Sequence, residues 1–212
     1  MRRPHVLLAV LSALAATLVS AWAQTEAEFR GATTEYRYAE LSHAFPAGLV
    51  FDGVYFGEPG IDELYLGAGY DLSSSSRASL IPILYAVFER DNSERGMTLG
   101  LSAHFEGARW QFAGFAGHFI PHGGDGDAYT FLDSLDLVRS TGRWGAGGSV
   151  TYDGLEDSGG WRAGPMLKRA DDLGVWAASV RFGDGAELRV IRTLRLSPPD
   201  RGLQSTRRGA PE

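Results

Sequence analysis

Between Gly48 and Leu196 the chain carries a repeat that few architectures can accommodate. Segments of roughly ten residues alternate apolar and polar side chains and recur about every fifteen positions, separated by short turns rich in Gly, Asp and Ser. A period of two belongs to a strand with two unlike faces and not to a helix. Ten such segments fit between Gly48 and Leu196, and an eleventh, weaker one precedes them. The spacing exceeds the roughly 8 to 12 residues usual in compact sandwiches, which favours long strands. The expectation is an all-β, closed antiparallel up-and-down barrel of ten strands, or of twelve if the preceding segment supplies a pair.

The clearest segment is Gly96 to Glu106. It sets Met97, Leu99, Leu101, Ala103 and Phe105 on one face against Gly96, Thr98, Gly100, Ser102, His104 and Glu106 on the other. In the same way Leu64, Leu66, Ala68 and Tyr70 oppose Glu63, Tyr65, Gly67 and Gly69. Near the end of the chain Leu188, Val190, Leu194 and Leu196 oppose Glu187, Arg189, Thr193 and Arg195. Two-faced strands of about 9 to 11 residues are long enough to cross a hydrocarbon layer when tilted. Other segments, such as Ser79 to Arg90, are apolar on both faces, as a strand packed on both sides would be. Pro82 and Pro165 each remove a ladder donor and are expected at bulges or strand ends.

Residues 1–23 read as a cleaved export signal. Arg2 and Arg3 form a basic start, Val6 to Val19 is apolar apart from Ser12 and Thr17, and Ala21-Trp22-Ala23 has the small-x-small form of a cleavage site. The chain has no Cys, which excludes a disulfide framework and a lipid-modified cysteine. The net charge of −6 becomes −8 when Arg2 and Arg3 leave, so nucleic acid is a poor partner. Nothing in the pattern calls for a cofactor or a metal, and the oligomeric state is left open. Residues 24–47 read as an N-terminal extended segment with charge in both registers: Arg30 and Glu40 in one, Glu35 and Arg37 in the other. It could be a strap, a plug or the missing strand pair. Residues 48–196 form the barrel, and 197–212, opening on Ser197-Pro198-Pro199, read as a disordered tail.

Turn lengths suggest a direction. Counting back from Leu196, the connections at Gly183–Gly185, Asp153–Gly160 and Pro121–Ala128 fall at one end, and shorter ones fall at the other. Alternating strands, aromatic strand ends and an export signal together resemble, in general pattern, the small outer-membrane β-barrel proteins of Gram-negative bacteria. That resemblance covers Gly48 to Leu196 and implies an outer-membrane location, with the periplasm as alternative. It also implies membrane lipid around the barrel and small polar solutes as possible partners. The chain departs from the pattern in ending its last strand on Leu196, not on an aromatic residue.

The inward register gathers charge. Arg162, Lys168, Arg181, Arg189 and Arg195 are expected to form a basic wall of the lumen, and Asp52, Glu63, Asp71 and Glu106 an acidic one. Two walls of opposite sign would set up a transverse field suited to a narrow pore. Alternatively, they pair and fill the interior. His118 falls in the outward register of Trp110, Phe112 and Ile120, and His122 in a loop, so neither is placed for catalysis. Gly123 to Asp127 reads as a polar loop. Asp133 and Asp136 would point to opposite faces unless a bulge intervenes. No catalytic residue is assigned. The chain reads as a small porin-like channel or structural membrane protein; the alternative is a barrel-scaffold enzyme or binding protein, either a lipid-modifying hydrolase or a soluble periplasmic barrel.

Overall fold

A computed structural model describes residues 24–59, 61–73, 77–89, 95–122, 127–154, 160–183 and 185–196. Residues 1–23, expected to be an export signal, residues 197–212, expected to be a tail, and most of the Gly123–Asp127 segment lie outside the described residues. The alternating segments form strands in chain order: β1 (Gln24–Ala32), β2 (Arg37–Ala44), β3 (Leu49–Glu58), β4 (Ile61–Tyr70), β5 (Ala78–Glu89), β6 (Arg95–Glu106), β7 (Trp110–Pro121), β8 (Tyr129–Thr141), β9 (Trp144–Asp153), β10 (Gly160–Asp171), β11 (Gly174–Gly183) and β12 (Gly185–Arg195). Each pairs antiparallel with its neighbours in sequence, and β1 returns to β12, so the sheet is closed.

The strand count is therefore twelve, the alternative expected from the sequence, and not ten. The two additional strands come from 24–47, which extends the barrel back from the sequence boundary at residue 48 to Gln24. The double-register charge that obscured this segment has a local cause. Glu26, Glu28 and Arg30 share the inward face of β1, while Arg37, with its side chain on the outward face, stands at the strand end beside the β1–β2 turn. An even strand number brings the start of β1 and the end of β12 to one end of the barrel. Connections there include the short 107–109, 142–143 and 172–173 but also the longer 71–77, while the opposite end has the short 59–60 and 184 beside the longer 90–94, 122–128 and 154–159. Length asymmetry is thus weaker than the last six strands suggested.

Alternation places unlike residues on the two sides. Leu99, Leu101 and Phe105 of β6, Leu135 and Leu137 of β8, Val180 and Phe182 of β11 and Leu188 and Val190 of β12 point outward and are exposed. Their inward neighbours Thr98, Val138, Ser179 and Arg181 are buried. Strand β5, apolar on both faces, buries Ile83, Tyr85 and Val87 in the barrel and exposes Leu80, Leu84 and Phe88.

Both prolines sit where the ladder can spare a donor. Pro82 lies just before Ile83, where the β4–β5 ladder stops, and it pairs only with Leu101 of β6. Pro165 is neither at a bulge nor at a strand end. It lies inside β10, where the β10–β11 register runs from Ala163 to Met166 without pairing the two residues between. There a Cβ added to Gly164 would come within 1.9 Å of the Val180 carbonyl oxygen, so the two backbones approach closer than any other residue allows. Gly142 closes the two-residue β8–β9 turn at φ 62°, a left-handed conformation that suits glycine.

Gly164→Ala should cost about 1–3 kcal/mol, because a new methyl meets a rigid carbonyl. Gly31→Ala, where an added Cβ meets nothing within 4 Å, should cost far less. Denaturant unfolding of the two variants in detergent checks this, and equal losses would contradict the close approach at Gly164.

Candidate functional site

The inward faces line a lumen whose two sides differ chemically. From β4 to β8 aromatic rings form a continuous row: Tyr65 to Tyr85 and Tyr85 to Phe115 at 6.0 Å between centroids, Phe115 to Phe131 at 6.1 Å, and Tyr129 to Phe119 at 5.2 Å. Inward glycines make room for them. A Cβ on Gly67 would meet Tyr85 at 2.5 Å, and one on Gly117 would meet Phe131 at 2.4 Å. Each ring thus lies over the bare backbone of the neighbouring strand, a pairing that recurs in curved sheets. The sequence held a sign of it, inward glycines beside strands rich in inward aromatics, but only the register shows which ring covers which glycine.

The opposite side, β1 with β10 to β12, carries the cations. Arg181 is only 1% exposed and pairs with Glu187, its direct cross-strand partner. Arg189 Nε lies 3.2 Å from the same Glu187 carboxylate, and Arg189 Nη1 lies 3.7 Å from Asp133 Oδ1. Arg30 pairs with Glu28 and with the second oxygen of Asp133. Lys168 Nζ stands 3.6 Å from Asp136. Two guanidinium groups also lie over rings: Arg30 over Tyr38 at 4.1 Å and Arg189 over Tyr36 at 4.4 Å.

Asp133 is the hub, and a bulge puts it there. The β7–β8 register shifts at Phe115/Ala116 and the β8–β9 register between Leu132 and Leu135. One extra residue is absorbed on β8, so Asp133 and Asp136 both face the lumen despite their spacing. From β8 the Asp133 carboxylate reaches Arg30 on β1 and Arg189 on β12, strands that are not its neighbours. These ion pairs therefore cross the lumen.

The residues expected from the sequence fall into three groups. Arg181, Arg189 and Lys168 take part in the network, and Arg162 stands half-buried in the inward register near the start of β10. Asp52 and Glu63 are inward and buried. The remaining three lie at the rim. Arg195 is in the inward register but exposed, 3.8 Å from Glu26. Glu106 ends β6 and accepts a hydrogen bond from Gln111 at 3.3 Å. Asp71 lies past the end of β4 and caps the following turn, accepting from the Ser73 amide at 2.8 Å. Partial burial opposes its charge, but the bonds from Ser73 and Leu80 outweigh that and hold its carboxyl below the ordinary value. Strand ends explain all three, because an inward-register side chain at the last pair of a strand or just past it meets the rim and not the lumen. His118 points outward and shares a 2.9 Å hydrogen bond with Thr130, and His122 is exposed in the loop after β7.

Sequence reading did not single out Arg30, Glu28, Glu40, Asp133 or Glu187 as site residues. For Glu28, Arg30 and Glu187 the signal was charge repeated two residues apart, as in Glu26-x-Glu28-x-Arg30 and Glu187-x-Arg189.

Glu187 is the only anion within ion-pair distance of Arg181 among the described residues. Glu187→Gln should therefore strand a buried guanidinium and cost about 3–5 kcal/mol. Arg181→Met should cost less, because Glu187 keeps Arg189. The ratio of folded to unfolded bands on unheated gels across a urea series reads both, and a greater cost for Arg181→Met would contradict the pairing.

No known protein-family model matches the chain, and no curated protein matches it. Solved structures do. The chain is similar to one described as "KdgM porin", with a TM-score of 0.59 and 14% identity over 80% of this chain and 98% of that one. It is similar to "KdgM porin in complex with disordered oligogalacturonate", with a TM-score of 0.59 and 12% identity over 81% and 98%. A third, from work on the in-meso crystallization of membrane proteins, gives 0.54 and 10% over 82% and 85%. At these identities the likeness is one of fold: a closed, porin-like β-barrel.

Proposed function

We propose that the protein is a bacterial outer-membrane barrel that passes small polar solutes through its lumen. The observation that carries this reading is the inversion of the molecule's polarity. Leucine, valine and phenylalanine cover the outside of a closed sheet, and charge is gathered within. Water would not favour such an exterior, whereas a hydrocarbon layer requires one, along with a sheet that has no open edge. Trp110, Trp144 and Trp176 stand on the outside at the end where β1 begins and β12 ends, and Trp161 with Phe182 stands near the other, as in interfacial belts. Inside, the ion-paired side chains keep some access to water: 22% for Glu28, 16% for Asp133 and 20% for Lys168.

One similar structure is described with oligogalacturonate, a polyanion. Here Arg30, Arg181 and Arg189 already face carboxylates, so a polyanion is a poor match and a smaller polar solute a better one. A second reading, a plugged barrel with a structural role, draws support from the Asp133 ion pairs that cross the lumen.

Leu101, 46% exposed on the outer face of β6, provides the test of membrane embedding. Leu101→Arg should cost about 2–4 kcal/mol if the site lies near the bilayer midplane, whereas Ser102→Gln, on the inward face, should cost much less. Equal sensitivity would indicate a barrel in water. Fractionation of the full chain with the outer membrane and discrete single-channel steps in planar bilayers are the expected outcomes. Embedded protein without conductance would favour the plugged barrel.

A further inference from the structure

Once the ion pairs across the lumen are made, one group of carboxylates has no cation. Glu40 on β2, Asp52 on β3 and Glu63 on β4 point inward, and none forms an ion pair with Lys or Arg among the described residues. Each accepts a hydrogen bond from a tyrosine. Tyr38 donates to Glu40, Tyr65 to Glu63, and Tyr85 to Asp52 Oδ2 at 2.6 Å. A phenol satisfies a lone pair but brings no positive charge. Asp52 is only 7% exposed, and its other oxygen, Oδ1, is buried without a hydrogen-bond partner among the described residues.

A carboxylate in a poorly solvated interior without a counter-charge must hold a proton or attract a mobile cation. Arg30, Lys168, Arg181 and Arg189 are committed to Asp133, Glu187, Glu28 and Asp136, and Arg162 forms no ion pair with the three carboxylates among the described residues. Among the described residues no three acidic, His or Cys groups converge as a divalent metal requires. The arrangement suits a singly charged ion that moves along the wall. Next to Asp52 the rings of Tyr65, Tyr85 and Phe115 stand edge to face, and such faces attract ammonium groups.

We infer that this tyrosine–carboxylate wall makes the lumen selective for monovalent cations, including small organic ammonium ions. The inference rests on the channel reading above and specifies what the channel passes. Selectivity follows from the imbalance, since paired charges on the far side cancel at short range and the unpaired carboxylates do not.

The test uses the full chain in planar bilayers under a KCl gradient, and then with tetramethylammonium chloride. Asp52→Asn and Glu63→Gln keep the acceptor for the tyrosine and nearly the same volume, and gel mobility confirms folding. The expected wild-type reversal potential corresponds to potassium several-fold more permeant than chloride, and each variant should lower that ratio by about twofold or more. Anion preference, no preference, or a cation preference untouched by both variants would overturn the inference and leave the channel standing. Absence of conductance would instead overturn the channel reading, and the wall is then judged by a second measurement. Tetramethylammonium chloride titrated into the folded protein in detergent should give a saturable change in tyrosine fluorescence, weaker in both variants. No saturable change, or the same change in the variants, overturns the inference.

Discussion

Everything in this molecule depends on the ladder between its first and last strands. Strands β1 and β12 pair from Glu26 with Arg195 to Ala32 with Arg189, and that contact leaves the sheet without an edge. An open sheet would expose a row of unpaired amide and carbonyl groups, tolerable in water and untenable in lipid. Closure also creates an inside, and with it the need to fill that space. The charged residues of β1 matter for the same reason, since Glu28 and Arg30 become lumen groups only because β1 seals the wall.

Filling the interior follows two physical rules on its two sides. Between β4 and β8, rings lie over glycine backbones, and contact area does the work. On the side of β1 and β10 to β12, buried guanidinium groups are present, and each must meet an anion or leave an uncompensated charge. Asp133 meets two of them from across the barrel because a bulge turns it inward. Together with the pairs made by Glu28, Glu187 and Asp136, the Asp133 ion pairs use up most of the lumen's fixed positive charge. What is left over is negative, gathered on β2 to β4, and supplied with hydrogen bonds by tyrosines in place of cations.

Fold likeness and function separate at this point. A closed porin-like barrel is a scaffold, and its backbone says little about what enters it. Charge on inward positions decides that, and inward positions can change every second residue without disturbing the ladder. Two barrels of one architecture can therefore admit solutes of opposite sign.

Sequence alone determined the strand period, the inward and outward sets of strands such as Gly96–Glu106, and the prospect of closure, because local alternation reports which face meets which medium. It also carried the outward placement of His118. It could not decide whether 24–47 belonged to the wall, since short charged strands alternate too weakly to stand apart from a strap. Tertiary structure decided that, by supplying β12 as the partner β1 needs. Tertiary structure alone also set the inward turn of Asp133, the retreat of Asp71, Glu106 and Arg195 to the rim, and the pairing of Arg181 with Glu187. Each depends on register between strands, and register is fixed by the neighbours on either side, which no period within a single segment can report.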